Sequence, residues 1–412
     1  MSEHRRLRDL PRAVRVVLAG GVINAFGSGL VFPFLGIFLR EGVGLSISRA
    51  GVVLAVFGLS GIAATPVVGW LSDHVGPKPV IVVLLGIAAV GFAGLVIVHS
   101  FAMALAVSCV AGVGNGSSWP AQSTLLNALC GEADRTLVFA ASRAGTNLGI
   151  GVGGMLGGFL AVNGRRATYD RLFVLDAITF LLFAVVLSTV TTPALEAHAH
   201  AASASASYAT LLRNRWFVQL LAVDLATAVT FSLAFELLPL HAVARLSITN
   251  RVVGFLFLLN TASVGGCQLL TVRLLAGRRR MPAYVGMHVA FAAGLFAVLL
   301  APHVGLDVRI AVLGTVMVVL GLAETVFGAV RSALITELFD PALMGRAFGA
   351  SGALFQLGMA GTRAGGAAIL DHSAVLPWVI GGMICVAAAL QSARMERTMP
   401  PASLRNPAAV VA

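Results

Sequence analysis

Long stretches without a charged residue are the feature that most limits how this chain can fold. Residues 16–39, 50–72 and 79–131 contain no Asp, Glu, Lys or Arg, over runs of 24, 23 and 53 positions. A helix crosses the hydrocarbon core of a bilayer with about 20 apolar residues, so the longest run is sufficient for two crossings. Only 11% of the 412 residues are charged, less than half of the roughly 25% typical of soluble domains. The sequence therefore predicts an integral membrane protein.

Twelve membrane-spanning helices account for the apolar segments. His99 and Ser100 divide the longest run and predict a turn between the third and fourth spans. Eight further spans are predicted at 136–162, 171–192, 216–243, 252–274, 282–302, 308–335, 346–369 and 374–393. The predicted fold class is an all-α integral membrane protein with twelve transmembrane helices.

Two landmarks recur at similar offsets and indicate a duplicated six-helix unit. Pro33 and Pro239 are 206 residues apart, and Arg135 and Arg346, each preceding a glycine-rich span, are 211 residues apart. An alanine- and serine-rich stretch in mid-chain is typical of a flexible linker. We expect two pseudo-symmetric bundles with a ligand site between them. The predicted organisation is an N-terminal six-helix bundle at 1–192, a cytoplasmic linker at 193–213, and a C-terminal six-helix bundle and tail at 214–412.

The distribution of positive charge predicts the orientation in the membrane. With both termini inside, 17 of the 28 lysine and arginine residues fall in inner gaps and tails and 8 in outer gaps. Because cytoplasmic loops carry the excess of positive charge, we expect both termini in the cytoplasm and the protein in the cell (inner) membrane. The net charge of +11 then needs no nucleic-acid partner. The first apolar run is too long for a cleaved signal peptide, and the four scattered cysteines predict no metal site or cofactor.

The segment after the second span carries the most specific motif. It has the sequence GWLSDHVGPK, with Gly69, Asp73, Gly76 and Lys78 as its key positions. Gly69 is expected to allow close helix approach and Gly76 a tight turn, while Asp73 places a carboxylate at the inner boundary. The motif resembles the signature of the major facilitator superfamily, Gly-x-x-x-Asp-x-x-Gly followed by basic residues. The resemblance implies that these four residues form a gating motif.

The fifth span repeats glycine every four residues, which places a stripe of small residues along one helix face. Gly149, Gly153, Gly157 and Gly158 match the glycines of the superfamily's antiporter motif, Gly-x-x-x-Gly-Pro-x-x-Gly-Gly, and Gly154 stands where that motif has proline. The chain thus resembles the twelve-helix drug/proton antiporter group. The resemblance implies proton-coupled efflux and a role in multidrug resistance. A phosphate-binding loop with Lys and Ser or Thr is missing from the sequence, so ATP-driven transport is not expected.

Charged residues inside the predicted spans are the remaining functional signal. Each costs about 2.5–3.5 kcal/mol at a helix centre, so most should face the protein interior or each other. A buried carboxyl group can bind a proton near neutral pH and release it on hydration, which makes Asp224, Glu324 and Glu236 the proton-coupling candidates, Asp224 first. Asp176, five residues after Arg171, is expected at the outer interface. Arg331 and Arg363 are open between ion-pair partners and substrate ligands.

Uncharged polar and aromatic residues complete the predicted site. Each can instead form a hydrogen bond between helices. The substrate-cavity candidates are Asn24, Asn115, Trp119, Gln122, Asn260, Gln356 and Arg363.

The resemblance and the charges together predict a secondary active transporter that exports a small amphipathic compound, a drug or metabolite, by proton-coupled alternating access. Its expected partners are the small-molecule substrate, protons and the lipid bilayer, and it is expected to be a monomer. A proton-coupled uptake symporter for a nutrient or metabolite and a non-transporting membrane sensor remain as alternatives. An enzyme is disfavoured because no nucleophile–base or metal-ligand cluster is visible in the sequence.

Overall fold

The computed structural model describes residues 7–131, 134–191, 208–339 and 341–399. These residues form helices and connecting turns, without a β-strand among them. Most of the predicted linker, 193–207, lies outside the described residues, and its end forms the short helix Tyr208–Arg213. Twelve long helical segments, labelled α1 to α12, run over Arg12–Glu41, Ile47–Val75, Pro77–Ile97, Phe101–Leu129, Arg135–Leu160, Arg166–Ser188, Arg215–Leu246, Asn250–Leu275, Arg280–His303, Leu306–Leu338, 341–372 and Leu376–Thr398.

Nine of these segments in the described part of the chain are long and apolar enough to cross a membrane. The other three are α5, α8 and α11, which coincide with predicted spans to within a few residues. The breaks between helices follow local chemistry. The Ser100 side chain accepts a hydrogen bond from the Met103 backbone N–H and begins α4, which confirms the turn expected at residues 99–100. Gly76 separates α2 from α3 with a φ of 86°, a left-handed conformation that favours glycine.

The helices fall into two compact units. The first comprises residues 1–200 together with 249–258, the beginning of α8. In it, α1 packs against α5 and α6, α4 packs against α2 and α3, and α3 packs against α6. Aromatic rings fill the contacts around α6: Phe38 and Phe173 lie 4.6 Å apart between ring centroids, and Phe92 and Phe180 lie 5.3 Å apart.

The second unit comprises residues 201–248 and 259–412. In it, α7 packs against α11 and α12, and α9 packs against α10 and α12. The Asn260 side-chain amide of α8 donates to the Met317 carbonyl of α10 at 3.1 Å. Each of these helix pairs has a counterpart six helices earlier in the first unit. The packing therefore repeats, as the predicted pseudo-symmetric six-helix bundles require.

Two helices of the second unit contain a π-turn, in which the backbone hydrogen bonds span one residue more than in an α-helix. One covers Leu233–Leu237 in α7 and the other covers Thr362–Gly366 in α11. Such turns are rare and are frequent at functional sites. They contain Glu236 and Arg363, two of the charged residues that the sequence places inside spans.

Candidate functional site

Asp224 lies at the meeting point of three helices of the second unit. Its Oδ2 atom is 2.9 Å from Nε of Arg331 on α10 and accepts a hydrogen bond of 2.5 Å from the Ser351 hydroxyl on α11. Arg331 also donates to the Ser351 oxygen from Nε at 3.1 Å and from Nη2 at 2.6 Å. The Asp224 side chain is 0% exposed and that of Arg331 17% exposed. One carboxylate therefore ties α7, α10 and α11 together.

The other oxygen of this carboxylate has a different environment. Asp224 Oδ1 and the hydroxyl of Tyr284 are both buried, and Tyr284 lies beside Asp224. On the turn of α9 after Tyr284, His288 lies within 3.2 Å of the Thr227 hydroxyl on α7. Polar groups thus continue from the ion pair toward α9.

Glu236 and Arg363 form a second ion pair in the same unit. Arg363 Nε donates to Glu236 Oε2 at 2.6 Å, and Nη2 lies 2.5 Å from Oε1, so the guanidinium binds the carboxylate with two parallel contacts. The Ser232 hydroxyl adds a hydrogen bond of 3.1 Å to Oε2. The Arg363 side chain is 10% exposed and that of Glu236 19% exposed. This second pair is therefore more open than Asp224.

The three acidic candidates for proton coupling occupy different places. Asp224 and Glu236 form ion pairs with different arginines, Arg331 and Arg363. Glu324 is half-buried on α10. Arg331 and Arg363, left open between two roles by the sequence, are both ion-pair partners.

Asp176 corrects an expectation. It was expected at the outer interface, but its side chain is 0% exposed in the first unit. The helix α6 begins at Arg166 and not at 171, so Asp176 lies ten residues, about 15 Å, along the helix. The Thr179 hydroxyl donates to its Oδ1 atom at 3.2 Å.

The residues of the predicted gating motif lie at the end of α2 and the start of α3. Asp73 is exposed and forms no ion pair with another described residue. The Lys78 ammonium group donates to the carbonyls of Ser188 at 3.0 Å and Val190 at 2.6 Å, so it caps the end of α6. A methyl group at Gly69 would meet no atom of the first unit within 4 Å. Close helix approach at Gly69, which we expected, is therefore not seen in that unit.

The glycine stripe of α5 makes the expected close contacts. Added methyl groups at Gly149, Gly153 and Gly157 would collide with backbone atoms of α1. On another face of α5, Gly158 lies against Gly254 at the beginning of α8, also within the first unit. The small residues thus allow α5 to approach two helices at backbone distance.

The substrate-cavity candidates are spread over both units. Gln122 is buried against α1 at Gly21, and buried Asn260 makes the contact to α10 described above. Trp119 and Gln356 are exposed, and Asn115 is half-buried. Half-buried Asn24 has a buried Oδ1 atom with no partner among the described residues. Asn260 thus forms a hydrogen bond between helices, the alternative that the sequence left open, and Gln122 packs against α1.

Two residues of the Asp224 cluster are not found by sequence reasoning. Ser351 lies among small residues of α11, and Tyr284 begins an apolar stretch of α9. Neither position carries a charge or a motif, and both become relevant only when α9 and α11 fold against α7.

Comparison with known families decides the identity of the fold. The profile of the Major Facilitator Superfamily matches residues 17–362. The chain belongs to the major facilitator superfamily. This superfamily membership confirms the resemblance carried by the motif at residues 69–78 and the twelve-helix membrane fold. It also identifies the protein as a multi-pass membrane protein of a transporter family and not as an enzyme.

Similar proteins in the superfamily include bacterial transporters. The chain is 27% identical to the uncharacterized MFS-type transporter YttB of Bacillus subtilis (strain 168) over 42% of this chain and 43% of that protein. It is 27% identical to the quinolone resistance protein NorA of Staphylococcus aureus over 39% of this chain and 41% of that protein. The matched segments thus span less than half the length of these relatives.

Solved transporter structures match the chain over nearly its full length. A D-xylose-proton symporter superposes with a TM-score of 0.71 and 18% identity, covering 92% of this chain and 96% of that one. A peptide transporter POT, solved in complex with sulfate, superposes with a TM-score of 0.77 and 15% identity, covering 98% and 97%. At these identities the likeness shows the superfamily fold alone.

Proposed function

We propose that this superfamily member is a secondary active transporter that exports a small amphipathic compound in exchange for protons by alternating access. The observation that carries the proposal is the buried Asp224 carboxylate, which binds Arg331 and Ser351 at once. A proton on Asp224 removes the negative charge on which both contacts depend. Because a ligand shifts a conformational equilibrium only through its different affinity for the two states, a proton that changes contacts among three helices is suited to drive such a shift.

Two observations bear on the direction of transport. The glycines at positions 149, 153, 157 and 158 match the antiporter motif, and one similar protein is a quinolone resistance protein. Both favour efflux over uptake. Asp224 is the first candidate for the proton carrier, with Glu236 and Glu324 as the others, and Asp73 and Lys78 belong to the gate.

The domain bounds, the oligomeric state and the orientation in the membrane are proposed from the sequence. The transporter consists of bundles at 1–192 and 214–412 joined by a cytoplasmic linker at 193–213, and it works as a monomer. It lies in the cell inner membrane with both termini in the cytoplasm, its partners being the small-molecule substrate and protons.

The test uses inside-out vesicles that contain the protein, acidified inside and loaded with a pH-sensitive dye. Lipophilic cations, common antibiotics and sugars are added in turn. Exchange predicts that one class of compound releases protons, and that Asp224→Asn lowers the release at least about tenfold, as expected for a lost proton-transfer group. The matched control is Asp307→Asn, which removes an exposed carboxylate at the start of α10 and should leave the release unchanged.

Three results would contradict the proposal. Accumulation of a compound inside intact cells would establish uptake symport. The fold is compatible with symport, since a D-xylose-proton symporter has a similar fold. Absence of flux for every compound would favour a non-transporting sensor. Proton release that persists in Asp224→Asn, Glu236→Gln and Glu324→Gln would show that none of these carboxylates carries the proton.

A further inference from the structure

Four phenylalanine rings form a cluster in the second unit, which also holds the Glu236–Arg363 pair. Phe231 contacts Phe235, Phe327 and Phe355 with ring centroids 5.4, 5.9 and 5.7 Å away. The rings of Phe327 and Phe355 are stacked, 5.5 Å apart and 27° from parallel. All four rings are partly exposed. This set, here called the phenylalanine cluster, offers flat apolar surface that the unit itself does not cover.

The phenylalanine cluster is linked to each ion pair in a different way, to one through the chain and to the other through a ring contact. Phe235 directly precedes Glu236 in the π-turn of α7. At the other side of the cluster, the Arg331 guanidinium carbon lies 5.5 Å from the centre of the Phe327 ring. The cluster therefore reaches the Asp224–Arg331 pair through Phe327, and it is joined to Glu236 through the backbone of α7.

The Glu236–Arg363 pair has two features that suit a ligand-binding site. Both of its residues keep some solvent exposure, whereas the Asp224 side chain keeps none. Both also lie in π-turns, on two different helices. A π-turn changes the direction of a side chain and interrupts the regular hydrogen bonding of the helix, and such turns are frequent at functional sites. Two π-turns whose side chains contact each other therefore indicate that the position of these charges is functionally constrained.

We propose that the Glu236–Arg363 pair and the phenylalanine cluster bind an aromatic zwitterion, a flat ring system that carries both an ammonium group and a carboxylate. The inference rests on the proposed function and names the substrate class of that transporter. The planar Arg363 fork takes the carboxylate of the compound in the place of Glu236, the freed Glu236 carboxylate accepts the ammonium group, and the rings stack with the aromatic body.

The charges explain why a zwitterion fits better than an ion. Inserting a zwitterion exchanges one pair of opposite charges for two, so neither protein charge loses its partner in a low-dielectric site. A simple cation would leave Arg363 without its carboxylate, and a simple anion would do the same to Glu236.

The test measures binding to the purified full-length protein in detergent, without a proton gradient. The probes share one ring system: tryptophan carries both charges, tryptamine only the ammonium group, and indole-3-propionate only the carboxylate. Binding is followed by the rise of the thermal unfolding midpoint with concentration, which yields an apparent Kd. We expect tryptophan to bind about thirtyfold more tightly than either singly charged compound, since each of those leaves one buried charge unpaired.

Variants separate the binding site from a structural pair. Arg363→Gln and Glu236→Gln should each weaken tryptophan binding about thirtyfold, and Arg363→Lys and Glu236→Asp serve where a glutamine variant unfolds. The control Arg279→Gln breaks another ion pair of the second unit, with Glu396, and should leave the Kd unchanged.

The binding experiment tests the zwitterion site separately from the proton exchange. Tryptamine or indole-3-propionate binding as tightly as tryptophan, or no probe binding at all, would overturn the zwitterion site. So would full tryptophan binding in both glutamine variants. Binding as expected together with compound-independent proton movement would instead overturn the exchange and leave the site in place.

Discussion

The Ser351 hydroxyl serves both charges of the buried pair, since it donates to Asp224 Oδ2 and accepts from Arg331. Ser351→Ala removes one contact from each charge without changing either charge. Because buried charged groups cannot recover such contacts from water in a dry site, we expect the free energy of unfolding to fall by about 1–2 kcal/mol. Denaturant unfolding of the detergent-purified protein measures the change.

The matched control for this residue is Ser188→Ala. The Ser188 hydroxyl is exposed and donates only to a carbonyl of its own helix, that of Val185, so its loss should alter the unfolding free energy by less than about 0.5 kcal/mol. Equal effects of the two substitutions would show that Ser351 does not support the ion pair.

Single residues show where the sequence is informative and where it is not. Because a charged side chain in a bilayer is costly, the sequence alone predicts that Asp224, Glu236, Arg331 and Arg363 face the protein interior. Their pairing was not predictable, because the partners are 107 and 127 residues apart in the chain and meet only through helix packing. Asp176 was misplaced because the polar first turns of α6 were excluded from the predicted span.

At the scale of helices, the contact between α1 and α5 depends on the absence of side chains. A methyl group at Gly153 would collide with the carbonyl oxygen of Phe26 and lie 3.1 Å from the Cα atom of Gly29. These are backbone atoms, so α1 and α5 must move apart to admit it. We expect Gly153→Ala to lower the free energy of unfolding by about 1–3 kcal/mol, the usual cost of overpacking, measured by the same denaturant unfolding.

A glycine with open space around it is the control. A methyl group at Gly286 of α9 would meet no atom within 4 Å, and alanine is favoured over glycine in a helix by up to about 1 kcal/mol. Gly286→Ala should therefore be neutral or stabilising. A Gly153→Ala protein as stable as the Gly286→Ala protein would disprove close packing along the stripe.

Regular spacing of residues in the sequence predicts how a helix packs. Glycine every fourth residue predicts a close-packed face, and α5 has one. The π-turns of α7 and α11 were not predicted, because an extra residue in a turn is stabilised by what its side chains contact. The π-turns of α7 and α11 each contain one residue of the Glu236–Arg363 pair, which no local pattern encodes.

For the whole molecule, the repeat was predictable and the assignment of helix ends to units was not. Recurring prolines and arginines indicate a duplication, and the five repeated helix pairs agree with it. The first residues of α8 nevertheless cluster with the first unit, because Gly254 packs against Gly158. Two small residues on helices from different repeats set that contact, and the duplication alone does not predict it.

The orientation in the membrane follows from the arginine distribution and is the last prediction. In a variant whose four cysteines are replaced by alanine, His99→Cys reports on the connection after α3 and Arg278→Cys on the connection after α8. Both positions are exposed. Because the excess of positive charge favours the cytoplasmic side, a membrane-impermeant maleimide should label position 99 but not 278 in intact cells. Inside-out vesicles should give the reverse, and permeabilised cells should label both. Labelling of position 278 in intact cells would place both termini outside and reverse the side from which protons reach Asp224.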